Sequence, residues 1–134
     1  LLDDPWDTIV YKNKGVFIAG GAGITPFIAI LRHLRSLGDL DGNSLIFSNK
    51  TSQDVILEPE FKEMFGTNPN NLILTLTDEA DYRYENRRID IDFLLSKIND
   101  FSQDFYICGP KGMGEEISLI LNELGANSEN ISFD

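Results

Sequence analysis

The sequence predicts an α/β fold: a doubly wound, parallel five-stranded sheet in the order 3-2-1-4-5 with helices on both faces. Three observations carry this. Short apolar runs alternate along the chain with amphipathic helical segments. The first run is continuously apolar, as a strand buried on both faces must be. Glycine-containing turns follow the first and fourth runs, each immediately before a helical segment. Strand and helix in repetition imply parallel strands joined by right-handed crossovers. A chain of 134 residues has room for one such domain with a core of its own.

Taken in order, Gly15-Val16-Phe17-Ile18-Ala19 is the first strand. Pro26 to Leu37 is a helix, because Phe27, Ile30, Leu31, Leu34 and Leu37 recur at three and four and Gly38 stops it. Ser44 to Ser48 is the second strand, and Pro59 to Phe65 a short helix with proline in its first turn. Leu72 to Thr77 is the third strand. Asp78 to Arg87 is polar and without periodicity, so a mobile loop is expected. Ile91 to Ile98 is helical and Phe105 to Cys108 is the fourth strand. Lys111 to Leu124 is a helix with Met113, Ile117, Ile120, Leu121 and Leu124 on one face, closed by Gly125. Asn130 to Phe133 is a last short strand. Residues 1–14, with Pro5 and Trp6 in an acidic context, read as an arm or as a linker at a domain boundary, which leaves residues 15–134 as the domain.

Composition removes several classes of function. Eleven Lys and Arg against 22 Asp and Glu give a net charge of −11. Nucleic-acid binding, which relies on cations neutralising phosphates, is not expected. No apolar run approaches the roughly 18 residues of a membrane span. The N-terminal segment has no basic patch and no apolar signal core, so a cytoplasmic protein with no membrane partner is expected. A single cysteine, Cys108, forms no internal disulfide and no cysteine metal cage, and no metal site is expected.

Two turns carry chemistry. Gly20-Gly21-Ala22-Gly23-Ile24-Thr25-Pro26 joins the first strand to the first helix. Glycine admits positive φ and close approach, and a helix start offers unpaired amides and the positive end of a dipole, a combination suited to a pyrophosphate. The plainer alternative is a tight strand-to-helix turn. Thr25 is expected as the N-cap and Pro26 as the first helical residue. No Gly-Lys-Thr or Gly-Lys-Ser follows, so this is not a P-loop. It also departs from the common dehydrogenase fingerprint: Pro26 takes the place of the third glycine, and Ser48 and Asn49 stand where an acidic residue ends the second strand. The second turn, Cys108-Gly109-Pro110-Lys111-Gly112-Met113, ends the fourth strand and opens a helix. In this topology the two turns line one crevice. Cys108 is either the floor of that crevice or a buried structural thiol. The one histidine, His33, falls mid-helix as a surface residue, so a cysteine–histidine nucleophile is not expected.

Gly-Gly-x-Gly-Ile-Thr-Pro and Cys-Gly-Pro-x-x-Met in this order resemble the pyridine-nucleotide-binding, Rossmann-like domain of the ferredoxin-NADP reductase superfamily. The resemblance implies a domain that follows a flavin-binding barrel and passes hydride from NAD(P)H to FAD. By that likeness Gly20, Gly21, Ala22, Gly23, Ile24, Thr25 and Pro26 hold the pyrophosphate and nicotinamide ribose. Cys108, Gly109 and Pro110 flank the nicotinamide. Cys108 and Thr25 lie at the hydride-transfer point, and Met113 packs the turn. The stretch Leu45 to Leu57 is similar to the NADH-cytochrome reductase branch. There Ser48, Asn49, Lys50 and Thr51 follow the nucleotide, and an acidic residue at the position of Asp54 lies by the adenosine ribose. A carboxylate accepts from a ribose diol and repels a 2′-phosphate, which favours NADH over NADPH. Lys50 weighs the other way, and Asp54 has the alternative of a helix cap. Thr77 and Asp78 face the adenine in this picture. The flavin-binding Arg-x-Tyr-Ser/Thr strand of the superfamily is missing: Arg83-Tyr84-Glu85-Asn86 has a superficial likeness but sits in the polar loop.

The expected function is therefore a nicotinamide-nucleotide-binding module of a flavin-dependent oxidoreductase, inactive alone. Its partners would be a flavin-binding domain, in the same polypeptide or a separate subunit, and an electron-acceptor protein. The alternative is a non-catalytic interaction domain on the same scaffold that has lost nucleotide binding.

Overall fold

The computed structural model describes residues 9–134, so Pro5 and Trp6 lie outside the described residues. Five parallel strands stand in the order β3-β2-β1-β4-β5. They are β1 (Gly15–Gly20), β2 (Ser44–Asn49), β3 (Leu72–Leu76), β4 (Asp104–Cys108) and β5 (Ile131–Phe133). The connecting helices are α1 (Thr25–Ser36), α2 (Glu58–Met64), α3 (Ile91–Lys97) and α4 (Met113–Glu123).

Successive side chains of a strand point to opposite faces, and the core divides accordingly. Phe17, Ala19, Leu45, Phe47 and Tyr106 face α1 and α2, where Phe27, Leu31, Leu34, Phe61 and Met64 cover them. Val16, Ile18, Ile46, Phe105 and Ile107 face α3 and α4, where Phe93, Leu94, Ile117 and Leu121 close the second layer. Ile9 is buried in the first layer. The Tyr106 hydroxyl takes hydrogen bonds from the Lys12 and Asn13 amides and donates one to the Asn13 carbonyl, fastening residues 12 and 13 to β4.

The expected elements are present, with ends displaced by one or two residues, and two boundaries differ for a physical reason. A 3₁₀ turn over Gly21–Ile24 feeds straight into α1, and Ile24 is already right-handed helical at φ −68°. Thr25 is thus the first helical residue and not the N-cap; its hydroxyl donates back to the Ala22 carbonyl at 3.0 Å, and Pro26 is the second helical residue. Gly112 has φ +90°, which no right-handed helix contains, so α4 begins at Met113 and not at Lys111. His33 is exposed near the end of α1, as expected. The polar loop after β3 is fastened at several points. Asn86 bridges to Asp81, the Tyr84 hydroxyl donates to Glu58 at 2.6 Å, and Glu85 pairs by its backbone with Leu74 and Leu76. Held by Glu58 and by burial, the Tyr84 phenol is raised to about 12.

Candidate functional site

The strand register sets the site. β1 pairs with β4 through Ala19 and Cys108, and with β2 through Gly20 and Ser48. The carboxyl ends of three strands therefore come out side by side where the strand order reverses, the usual ligand position of such sheets. The two turns leaving β1 and β4 touch. A Cβ on Gly23 would overlap the Cys108 carbonyl and lie 2.7 Å from the Gly109 Cα. The Met113 thioether packs over Gly20, with its sulfur 2.7 Å from where a Cβ there would stand.

Over these ends lies a cleft of about 650 Å³. The first turn contributes Gly20, Gly21, Ala22 and Thr25, and the fourth-strand turn Pro110 and Met113. β2 and the residues after it contribute Ser48, Asn49, Lys50, Asp54 and Ile56; Thr77 comes from the end of β3. Hydrogen bonds from the Thr77 and Asp78 amides to the Asn49 and Lys50 carbonyls, both 2.9 Å, join the two strand ends beneath.

Other expected residues stand around the cleft without lining it. Ile24 is fully buried in the α1-side core, so its side chain is a packing group. Gly23 faces the second turn, Pro26 is half-buried in α1, and Gly109 and Cys108 are half-buried behind Pro110. Burial first, and then the charge of Asp134, push the Cys108 thiol above its ordinary range, so it is not a poised nucleophile. Thr51 and Asp54 form a capping box around the 3₁₀ turn Ser52–Asp54: Asp54 Oδ2 accepts from the Thr51 amide at 3.2 Å and its hydroxyl at 3.0 Å. Only that oxygen is used by the cap, so one carboxylate serves both as cap and as wall of the cleft. Arg83 and Tyr84 lie at the β3 edge, lining a different cavity.

Sequence reasoning missed Glu79 and Ile56. Glu79 accepts from the Ser52 amide at 2.7 Å and from the Ser52 hydroxyl at 3.3 Å, bracing the Asp54 turn from the loop after β3. Ile56 places a half-exposed apolar side chain in the cleft, and an isolated isoleucine in a loop gives no signal in sequence.

The residues fit a dinucleotide. Gly21 has φ +53° with open space where a Cβ would project, leaving bare backbone toward the cleft. Among the described residues no side chain caps the 3₁₀ turn Gly21–Ile24 that leads into α1; the Thr25 amide is already bonded to the Ala22 carbonyl and Pro26 has no amide hydrogen, so the backbone open to an anion is that of the glycine turn, ahead of α1 and near the positive end of its dipole. Asn49 is 5% exposed, yet its Nδ2 has no hydrogen-bond partner among the described residues.

Comparison with known proteins agrees with this geometry. The family model of the oxidoreductase NAD-binding domain matches residues 17–118. NADH-cytochrome b5 reductase 2 of Danio rerio is 32% identical over 130 residues, covering 91% of this chain and 42% of the relative. The NADH nitrate reductase of Volvox carteri is 28% identical over 124 residues, covering 86% of this chain and 14% of the relative. The chain thus spans less than half the length of these curated relatives. Among solved structures, the flavohem-like FAD/NAD-binding domain of nitric oxide dioxygenase from Vibrio cholerae superposes with a TM-score of 0.81 at 22% identity, over 94% of this chain and 52% of that one. The matched residues include both the glycine turn and the cysteine turn, and the chain belongs to the oxidoreductase NAD-binding domain family of the ferredoxin-NADP reductase superfamily.

Proposed function

We propose that this chain is the pyridine-nucleotide half of an NADH-dependent flavoprotein reductase. Its task is to bind NADH and present the nicotinamide to FAD carried by a separate domain or subunit. The observation that carries the reading is the backbone contact between Gly23 and the Cys108–Gly109 turn, which makes one cleft out of two motifs.

Each part of the cleft then has work to do. The bare backbone of the glycine turn at Gly21, at the positive end of the α1 dipole, takes the pyrophosphate. The Asn49 amide, unpartnered among the described residues, supplies a donor to the bound nucleotide. At the adenosine end Asp54 and Ile56 offer a carboxylate for a ribose diol and an apolar surface for a base. The carboxylate would repel a 2′-phosphate, which supports NADH over NADPH. Thr25 follows the first turn and Cys108 opens the second, and the likeness to the reductase family supports giving the junction of the two turns to the nicotinamide. Cys108 acts there by shape, because its thiol stays protonated and neutral. When bound, FAD supplies the hydride acceptor. The residues of this chain align the donor and exclude water, so its contribution is positional.

The test is a titration of the purified chain with NADH, followed by calorimetry and amide NMR. The expected result is micromolar-to-millimolar affinity, with shifts at residues 20–25, 48–50 and 108–113, and no ferricyanide reduction until a flavin domain is added. Unmoved amides at saturating NADH would favour the interaction-domain alternative and overturn the proposal. Rapid ferricyanide reduction by the flavin-free chain would overturn the division of labour.

A further inference from the structure

The nucleotide cleft does not end at Met113. A second cleft of about 620 Å³ adjoins it and shares Ser48, Thr77 and Met113 with it. Its walls are the segment entering α3, the turn before α4 and the first turns of α4, and they bring together Arg87, Arg88 and Lys111 with one carboxylate, Glu116. This grouping is unusual in a chain of net charge −11. In the nucleotide cleft itself the charges cancel, one Lys50 against one Asp54.

A pyrophosphate brings two negative charges into this acidic protein, and backbone amides with a helix dipole offset only part of that. The three neighbouring cations differ in availability. The Arg87 guanidinium lies over the Phe93 ring at 5.2 Å, donates to Ser96 at 3.4 Å and stands 4.0 Å from the Asp90 carboxylate, directed along α3. Arg88 is paired with Glu116 at 3.0 Å. Lys111 is exposed and has no hydrogen bond or ion pair among the described residues. It stands between Pro110, which lines the nucleotide cleft, and Gly112, which lines the second. A lysine is a compact charge on a flexible stem, suited to reach a phosphate that arrives from the neighbouring cleft.

We propose that Lys111, in the turn between β4 and α4 and on the wall of the adjoining cleft, is the cation that reaches over to meet the pyrophosphate of the bound dinucleotide. This rests on the nucleotide reading above. Arg87 and Arg88 are offset by Asp90 and Glu116, which leaves Lys111 as the cation of this wall without a carboxylate partner among the described residues.

The experiment measures NADH and ADP-ribose binding to the wild-type chain and to Lys111→Ala, Lys111→Arg and Lys50→Ala across a salt series. Lys111→Ala is expected to weaken both ligands about tenfold at low salt, the scale of one charge-assisted hydrogen bond. The loss should shrink as salt rises, since screening already removes the same interaction from the wild type. Lys111→Arg should restore most of the affinity. Because Lys111 is exposed, its variants should melt like the wild type. The assignment is overturned if Lys111→Ala binds within twofold of wild type, if its loss is the same at every salt concentration, or if Lys50→Ala alone carries the salt dependence. A wild-type chain that fails to bind NADH brings down the nucleotide reading and this assignment together. Normal wild-type binding with an unaffected Lys111→Ala brings down the assignment alone.

Discussion

Gly23→Ala is the sharpest perturbation of the proposed cleft, because it tests the contact that unites the two turns. A methyl at this position would overlap the Cys108 carbonyl and stand 2.7 Å from the Gly109 Cα, and both neighbours are backbone. No side chain can swing aside, so the turn after β4 must retreat. Overpacking of this kind costs about 1–3 kcal/mol. Replacing glycine by alanine also restricts the unfolded chain, which returns about 0.4–1 kcal/mol. The net expectation is destabilisation of about 1–2 kcal/mol, read as a lower urea midpoint at unchanged slope. NADH affinity should fall in the same variant, and the amides of Cys108, Gly109 and Pro110 should shift although the substitution is some 85 positions away in the chain. Gly21→Ala is the control. It meets nothing within 4 Å, and its φ of +53° costs an alanine about 1 kcal/mol of local strain. That variant should leave the fourth-strand turn unmoved while still weakening binding, since its methyl enters the cleft. Gly23→Ala as stable as wild type, with unshifted Cys108 and Gly109 amides, would refute the reasoning.

Three other expectations come from the same geometry. Asn49→Ala removes a buried donor that has no partner among the described residues, so stability should change by no more than about 1 kcal/mol, whereas NADH affinity measured by calorimetry should fall severalfold. Asp54→Ala removes the capping box and should cost about 1 kcal/mol in a thermal melt, together with a lower NADH-to-NADPH affinity ratio; an unchanged ratio would remove Asp54 from the specificity argument. The raised Cys108 pKa means that the folded state holds its thiol proton more tightly than the unfolded state does. Its contribution to stability is therefore complete below the ordinary thiol range and is lost as pH rises through the folded value. Alkylation of the native chain near pH 8 should accordingly be slower than that of an unfolded chain, and faster alkylation would contradict the protonated thiol.

The fold was legible because its signals are local. A continuous apolar run, a three-and-four periodicity and a closing glycine each sit inside one element, and together they leave few topologies open. The ends of elements were harder because they depend on backbone angles. The Gly21–Ile24 turn is itself helical, which removes the extended position that an N-cap threonine needs, and the positive φ of Gly112 shortens α4. Periodicity carries neither fact. The same turn explains why Ile24, expected at the ligand, is in the core: a 3₁₀ turn directs its fourth residue inward beneath α1.

What the sequence could not disclose is set by sheet order, since the contacts at issue join residues far apart in the chain. Glu79 reaches Ser52 across the adjacent ends of β2 and β3. Arg87, Arg88 and Lys111 meet because the crossover through α3 brings the chain to the same face as α4, and no motif spacing links the two segments. The glycine turn was visible because it is a contiguous run with one chemical purpose, whereas the charge that completes an anion site can come from any segment ending at the same edge of the sheet. For an acidic protein this has a physical consequence. The amides that shape a phosphate site must be contiguous to share one curvature, but a cation acts over several ångströms and is free to sit on the opposite wall. In this chain the proposed cation is Lys111, one residue beyond the Cys-Gly-Pro turn, on the wall of the cleft that adjoins the nucleotide site.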